Sequence, residues 1–265
     1  MRPSPYSDLD RPPLSATRLR QALVTPGGFW TELLVKDETG STNADAAAAA
    51  RAGAAEGLIV VAERQTAGRG RLDRQWVSPP RAGLTLSVLL KPPSRYQWLP
   101  LLAGVALVET VRRMGDVDAV LKWPNDLLID GRKCAGILAE SVGGSVVLGI
   151  GLNVTLREAE LPRPDATSLL LAGSTCVDRD PLLRALLRTL ADRYVQWRDD
   201  PEGNDLREAY RVHCGTLGQE VRVALPDGTQ LAGTASDVDG AGRLVVTGPD
   251  DAPTAVAAGD IEHVR

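Results

Sequence analysis

Leu127-Leu128-Ile129-Asp130-Gly131-Arg132-Lys133-Cys134-Ala135-Gly136-Ile137-Leu138-Ala139-Glu140-Ser141-Val142-Gly143-Gly144-Ser145-Val146-Val147-Leu148-Gly149-Ile150-Gly151-Leu152 is three apolar runs separated by two short turns. Asp-Gly and Gly-Gly take the positive φ angles of tight hairpins, so 127–129, 134–139 and 146–152 are predicted as an antiparallel meander. Working outward, 120–123, 84–90, 58–62 and 30–36 read as further strands. Ser15 or Thr17 caps a short helix to Val24, ended by Pro26-Gly27-Gly28. Ser41-Thr42-Asn43 supplies capping side chains for the alanine-rich helix 44–52. Residues 98–114, 181–197 and 206–213 carry apolar stripes at helical spacing. Helices followed by hairpins, without regular βαβ alternation, predict an α+β fold with a mainly antiparallel sheet.

Past Gly215 the pattern changes to short strands, at 221–223, 231–235, 244–246 and 255–256, separated by Pro226-Asp227-Gly228 and Asp239-Gly240-Ala241-Gly242. That is the pattern of a small SH3-like barrel, which divides the chain into 1–215 and 216–265. Residues 1–14 carry Pro3, Pro5, Pro12 and Pro13 and read as a loose arm. The 265 residues, 43% hydrophobic, are ample for a core, and no apolar stretch is long enough to span a bilayer. No signal-peptide pattern follows Met1, and three widely spaced cysteines exclude a disulfide framework, so a cytoplasmic protein is expected. A net charge of −4 argues against a dedicated nucleic-acid binder.

Chemistry-bearing residues gather in four places. Gly68-Arg69-Gly70-Arg71-Leu72-Asp73-Arg74 follows a strand; its glycines let backbone N–H groups approach an anion, and its arginines suit phosphate or carboxylate. It lacks the Lys-Ser/Thr ending of a Walker loop. Lys122-Trp123-Pro124-Asn125-Asp126 sets a cation beside oxygen-bearing side chains where a strand meets a turn. Only four of the 30 basic residues are lysine, which draws notice to Lys122 and Lys133. By simple alternation Lys133 shares a face with Ala135, Ile137 and Ala139, where an ammonium needs an anionic partner. Gly149 and Gly151, two apart in a strand, permit close approach of a ligand or another backbone.

In order, Gly40-Ser41-Thr42-Asn43, Gln65 to Arg71, Arg74-Gln75-Trp76, Lys122 to Asp126, Lys133 to Leu138 and Gly149 to Val154 resemble biotin protein ligases. The resemblance implies a catalytic fold like that of class II aminoacyl-tRNA synthetases, and ATP-dependent formation of biotinyl-5′-AMP followed by transfer to a protein lysine. It implies Lys133 and Arg69 as catalytic groups, with Lys133 beside the biotin carboxylate and α-phosphate. Ser41, Thr42, Asn43, Gln65 and Gly136 would recognise the ureido ring, Arg69, Gly70 and Arg71 would close over the ligand, and Gly149 and Gly151 would underlie its tail. Arg71, Arg74, Trp76, Lys122, Asn125, Asp126 and Asn153 would form the nucleotide side, Trp76 as an apolar lid and Asp126 as a ligand of Mg²⁺. Cys134 stands where such enzymes often carry leucine.

The implied acceptor is a biotin carboxyl carrier domain of an acyl-CoA carboxylase or pyruvate carboxylase. The stretch before Ser41 is too short for a winged helix-turn-helix, so a ligase without DNA binding, monomeric or weakly dimeric, is expected. Two alternatives stand beside it: a lipoate or octanoate ligase of the same superfamily, and an RNA-binding module built on the Gly-Arg loop and small barrel.

Overall fold

Asp130, Gly131, Gly143 and Gly144 all take positive φ angles, of 50°, 71°, 53° and 80°, so both tight turns of the meander form. The computed structural model describes residues 10–71, 74–93, 96–200, 202–225, 228–257 and 259–263. In chain order its elements are α1 (Ala16–Leu23), β1 (Glu32–Lys36), α2 (Thr42–Arg51), β2 (Leu58–Ala62), β3 (Gly83–Leu90), α3 (Leu99–Gly115), β4 (Ala119–Lys122), β5 (Asp126–Ile129), β6 (Arg132–Val142), β7 (Ser145–Asn153), α4 (Arg179–Asp199) and α5 (Asn204–His213). Then follow β8 (Glu220–Ala224), β9 (Gln230–Val238), β10 (Leu244–Thr247), β11 (Pro253–Val256) and β12 (Asp260–His263).

Seven strands form one sheet in the order β1-β2-β3-β7-β6-β5-β4. Among the ladders of this sheet in the described residues, that of β1 and β2 is parallel, because α2 carries the chain across between them; the other ladders are antiparallel. The sheet is therefore mixed and mainly antiparallel, as the sequence predicts. Ser41 caps α2 by accepting from Ala44 N–H, which places Thr42 and Asn43 inside its first turn rather than ahead of it.

The two faces of the sheet are covered differently. One packs Leu84, Leu86, Val88, Leu148 and Ile150 into a core shared with α3 and α4. The other meets α2 through Leu58, Val60, Leu89 and Val147, which pack on Ala46 and Ala47. Under the first turn of α2 and past it, the strand positions of that second face are small or polar: Ser87 and Gly149 beneath Thr42 and Asn43, then Thr85, Gly151 and Gly136.

The alternation that put Lys133 on one face with Ala135 and Ile137 fails. β5 and β6 change register between Leu127 and Leu128: Leu127 stands opposite Ala135, but Leu128 stands opposite Lys133. Cys134 is the extra residue of a bulge, and a bulge reverses the parity of everything before it. Ala135 and Ile137 remain in the core, while Lys133 turns to the open face beside Gly136.

The second sheet, in the order β11-β10-β9-β8-β12, is wholly antiparallel. Its fifth strand, β12, was not among the strands read from sequence. The turn at Gly240 and Gly242 accepts hydrogen bonds from the indoles of Trp98 (2.8 Å) and Trp123 (3.1 Å), which tie this sheet to the first. Arg207 and Arg211 also clamp Asp237, at 2.9 and 2.6 Å; chiefly the Arg211 hydrogen bond holds that carboxyl down at about 2.

Of the stretch expected to be a loose arm, residues 1–9 lie outside the described residues, and Asp10 to Leu14 are anchored instead. Arg11 is buried and pairs with Glu160 at 2.5 Å, and Leu14 N–H donates to Glu63 at 2.6 Å. Glu63 in turn holds Arg179 at 2.5 Å, a charge pair nearly closed to solvent.

Candidate active site

A cleft of about 320 Å³ lies on the open half of the second face, a size ordinary for small-molecule sites. Its floor is Gly151 and Gly136, and beside them Gly149 and Leu138; their cross-strand partners Thr85 and Ser87 continue the two rows but are buried. The glycines are required by protein side chains. A Cβ on Gly149 would lie 2.1 Å from Asn43 Oδ1, and one on Gly151 would lie 2.3 Å from the Trp76 ring. The Trp76 indole thus lies directly on the strands, and its N–H is buried with no hydrogen-bond partner among the described residues. Gly136 lies under both Trp76 and the Lys133 side chain, each 3.3 Å from where its Cβ would be.

At one end of the cleft α2 and the end of β2 form a polar chain. Gln65 Oε1 accepts from Thr42 N–H at 2.7 Å, which leaves its amide N–H groups for other partners. The Ser87 hydroxyl, 2.7 Å from Thr42 Oγ1, donates to Asn43 Oδ1 at 2.6 Å. Asn43 Nδ2 donates to Glu140 Oε2 at 2.6 Å. At the other end Lys133 Nζ reaches Asp126 Oδ1 at 2.6 Å, a pair only about one-fifth exposed. Asn125 donates to Ile137 O and accepts from Arg71 at 3.1 Å.

The Gly-Arg segment is folded over this cleft as a small hairpin. Gly70 N–H donates to Arg74 O at 2.7 Å and Trp76 N–H to Gly68 O at 2.9 Å; Leu72 and Asp73 lie outside the described residues. Gly68 has no room for a side chain, since a Cβ would stand 2.4 Å from Trp76 O. Arg69 pairs with Glu140 at 3.0 Å, and Arg71 also approaches Gly259 O, one residue before β12, at 3.5 Å.

The fold therefore brings Ser41, Thr42, Asn43, Gln65, Arg69, Gly70, Arg71, Arg74, Trp76, Asn125, Asp126, Lys133, Gly136, Gly149 and Gly151 around one cleft. Two of the anticipated residues are not among its lining. Asn153 is buried and spends its amide on Thr167 O, at 2.9 Å. Lys122 lies toward the second sheet, where burial and this lysine's charge together lower the pKa of His263. Sequence patterns passed over Ser87, Glu140, Pro162, Arg163 and Ala166. A serine inside the apolar run of β3 is the one local signal among them. Cys134, next to Lys133, has its thiol pushed up to about 12 by burial and is inert.

A sequence profile of the Biotin/lipoate A/B protein ligase family matches residues 40–156, and one of the biotin protein ligase C-terminal domain matches 216–264. The chain is 44% identical to a biotin–[acetyl-CoA-carboxylase] ligase of Mycobacterium tuberculosis, over 96% of this chain and 97% of that protein. It is 33% identical to a bifunctional ligase/repressor of Bacillus spizizenii, over 88% of this chain and 74% of that one. The structure of the Aquifex aeolicus biotin protein ligase in complex with biotin and ATP superposes with a TM-score of 0.77 at 26% identity, over 89% of this chain and all of that one. The chain belongs to the biotin protein ligase family.

Proposed function

We propose that this cleft joins biotin to ATP as biotinyl-5′-AMP, releasing pyrophosphate, and then passes the biotinyl group to a lysine of the biotin carrier domain of acetyl-CoA carboxylase. The overall reaction is that of the mycobacterial relative named above. The observation that carries the assignment to this cleft is the placement of Lys133, turned by the Cys134 bulge onto the glycine floor and flanked by the Arg69 and Arg71 loop.

In the first step a biotin carboxylate oxygen bonds to the α-phosphorus and the bond to pyrophosphate breaks. Two anions must meet, so fixed cations lower the barrier. Lys133 exchanges Asp126 for the carboxylate and α-phosphate, and Arg69, Gly70 and Arg71 cover the ligand. Ser41, Thr42, Gln65 and the backbone at Gly136 meet the ureido ring, with Asn43 beside them. Arg74, Trp76, Asn125 and Asp126 form the nucleotide side. In the second step the acceptor amine attacks the acyl carbon and AMP leaves.

Among the described residues, Asp126 is the one carboxylate that lines the cleft. Magnesium bound with a nucleotide commonly takes one or two carboxylates plus phosphate oxygens, so Asp126 is the residue to hold it. The metal would offset phosphate charge. Residues 1–215 act as the catalytic unit, akin to class II aminoacyl-tRNA synthetases, and 216–265 as an SH3-like unit whose Gly259 carbonyl meets Arg71. Cys134, Cys176 and Cys214 are all unpaired, in keeping with a reducing cytoplasm.

Incubation with ATP, biotin and a carrier domain, read by intact mass, should add one biotinyl group. Lipoate or octanoate transfer in its place would overturn the substrate, and pyruvate carboxylase carrier supplied in parallel reads the acceptor range.

A further inference from the structure

Glu140 stands on the cleft side of β6, at the junction of α2 and the Gly-Arg loop. A single oxygen, Oε2, receives both the Asn43 amide (2.6 Å) and the Arg69 guanidinium (3.0 Å). The two bonds differ in setting. Asn43 is buried, with Ser87 donating to its oxygen and Leu138 O 3.4 Å from its nitrogen, so both ends of its amide are committed within the protein. Arg69 is half exposed.

We propose that Glu140 is a positioning residue of the biotin site: it fixes the Asn43 amide above Gly149 and moors Arg69 in the ligand-free loop, so that Arg69 must leave Glu140 to meet the adenylate. On this account Asn43 does not contact biotin; it sets α2 at the height over the strands that Thr42 and Gln65 need. Gly149 is small because Asn43 must come down to Glu140 at that point.

The energetics separate the two duties. The Asn43 bond is partly buried, with Glu140 about one-quarter exposed; a hydrogen bond to a charged acceptor in such a setting still contributes more than an exposed contact, and its loss corresponds to roughly a tenfold weakening. An exposed ion pair contributes little, a factor of about 1.5 to 5. Glu140 thus holds the framework firmly and the loop lightly, as a mooring that a ligand displaces.

The inference rests on the biotin ligase reading, and substitutions at Glu140 test it apart from that reading. Wild-type protein is first shown to bind biotin and to form biotinyl-5′-AMP; failure there overturns the site and this role together. Glu140→Gln keeps an oxygen for Asn43 and loses the charge for Arg69. Its biotin Kd should rise less than that of Glu140→Ala, since a neutral oxygen still accepts from Asn43, and biotinyl-5′-AMP should dissociate about 1.5 to 5 times more slowly. Glu140→Ala removes both duties and should raise biotin Kd about tenfold. If Glu140→Ala does not fold, Glu140→Gln alone decides. Unchanged or faster adenylate release from Glu140→Gln, or a biotin Kd in Glu140→Ala equal to wild type, overturns the proposal. In Arg69→Ala, Glu140→Gln should no longer slow adenylate release; slowing that persists there would also overturn it.

Discussion

The two faces of the seven-stranded sheet are made by the same strands and put to opposite uses. On one face Leu84, Leu86, Val88, Leu148 and Ile150 close against α3 and α4. On the other, the alternate residues of β3 and β7 are Thr85, Ser87, Gly149 and Gly151, and the first turn of helix α2 comes down on them at Ser87 and Gly149. The difference shows how a strand buried on both faces can still carry a site. Small and polar residues at every second position withdraw one face from the core and leave a floor on which Trp76, Asn43 and Lys133 come to rest.

Changes on the core face should cost stability and spare chemistry. Leu148→Ala, at a fully buried position, is expected to destabilise by about 2–5 kcal/mol, read by denaturant unfolding. Its adenylation rate per folded molecule should match wild type. One residue along, Gly149→Val points to the other face, where its Cβ meets Asn43. Overpacking there is expected to cost about 1–3 kcal/mol, with biotin binding lost in calorimetry while the protein still melts cooperatively. If the two neighbours gave the same pattern, the division of labour between faces would be wrong.

The smallest effect lies away from both faces, where Asp237 joins α5 to the second sheet. Arg211 and Arg207 hold its folded pKa at about 2, below the ordinary value of 3.8, so it stabilises above pH ~4 and the contribution is lost as pH falls from 4 to 2. The group is a third exposed, and screening reduces the effect to about 1 kcal/mol. Asp237→Asn should therefore be less stable than wild type at pH 7, and the gap should close by pH 2 in acid unfolding curves.

Much of this was legible in the sequence because its causes are local. Asp-Gly and Gly-Gly turns fix the meander, Ser41 starts α2, and the glycine spacing of β7 marks the floor. What escaped has causes distant in the chain. Nothing near Lys133 announces the bulge at Cys134; the register is set by β5, and simple alternation therefore put the lysine on the wrong face. Asn153 was drawn away by Thr167, and Arg11 was pinned by Glu160, a partner 149 residues on. Ser87 and Glu140 acquire their roles only when α2 descends between them.

The most direct test of the central claim is the single-turnover rate of biotinyl-5′-AMP formation in Lys133→Ala, compared with wild type at matched folded fraction. Lys133 packs over glycine and pairs with Asp126, both about one-fifth exposed, so its loss should cost some stability, which comparison at matched folded fraction removes from the rate. Removing one preorganised charge from a transition state costs about 10²–10³ in rate, and that fall is the predicted result. A rate within a few-fold of wild type would contradict the account and move the catalytic cation elsewhere.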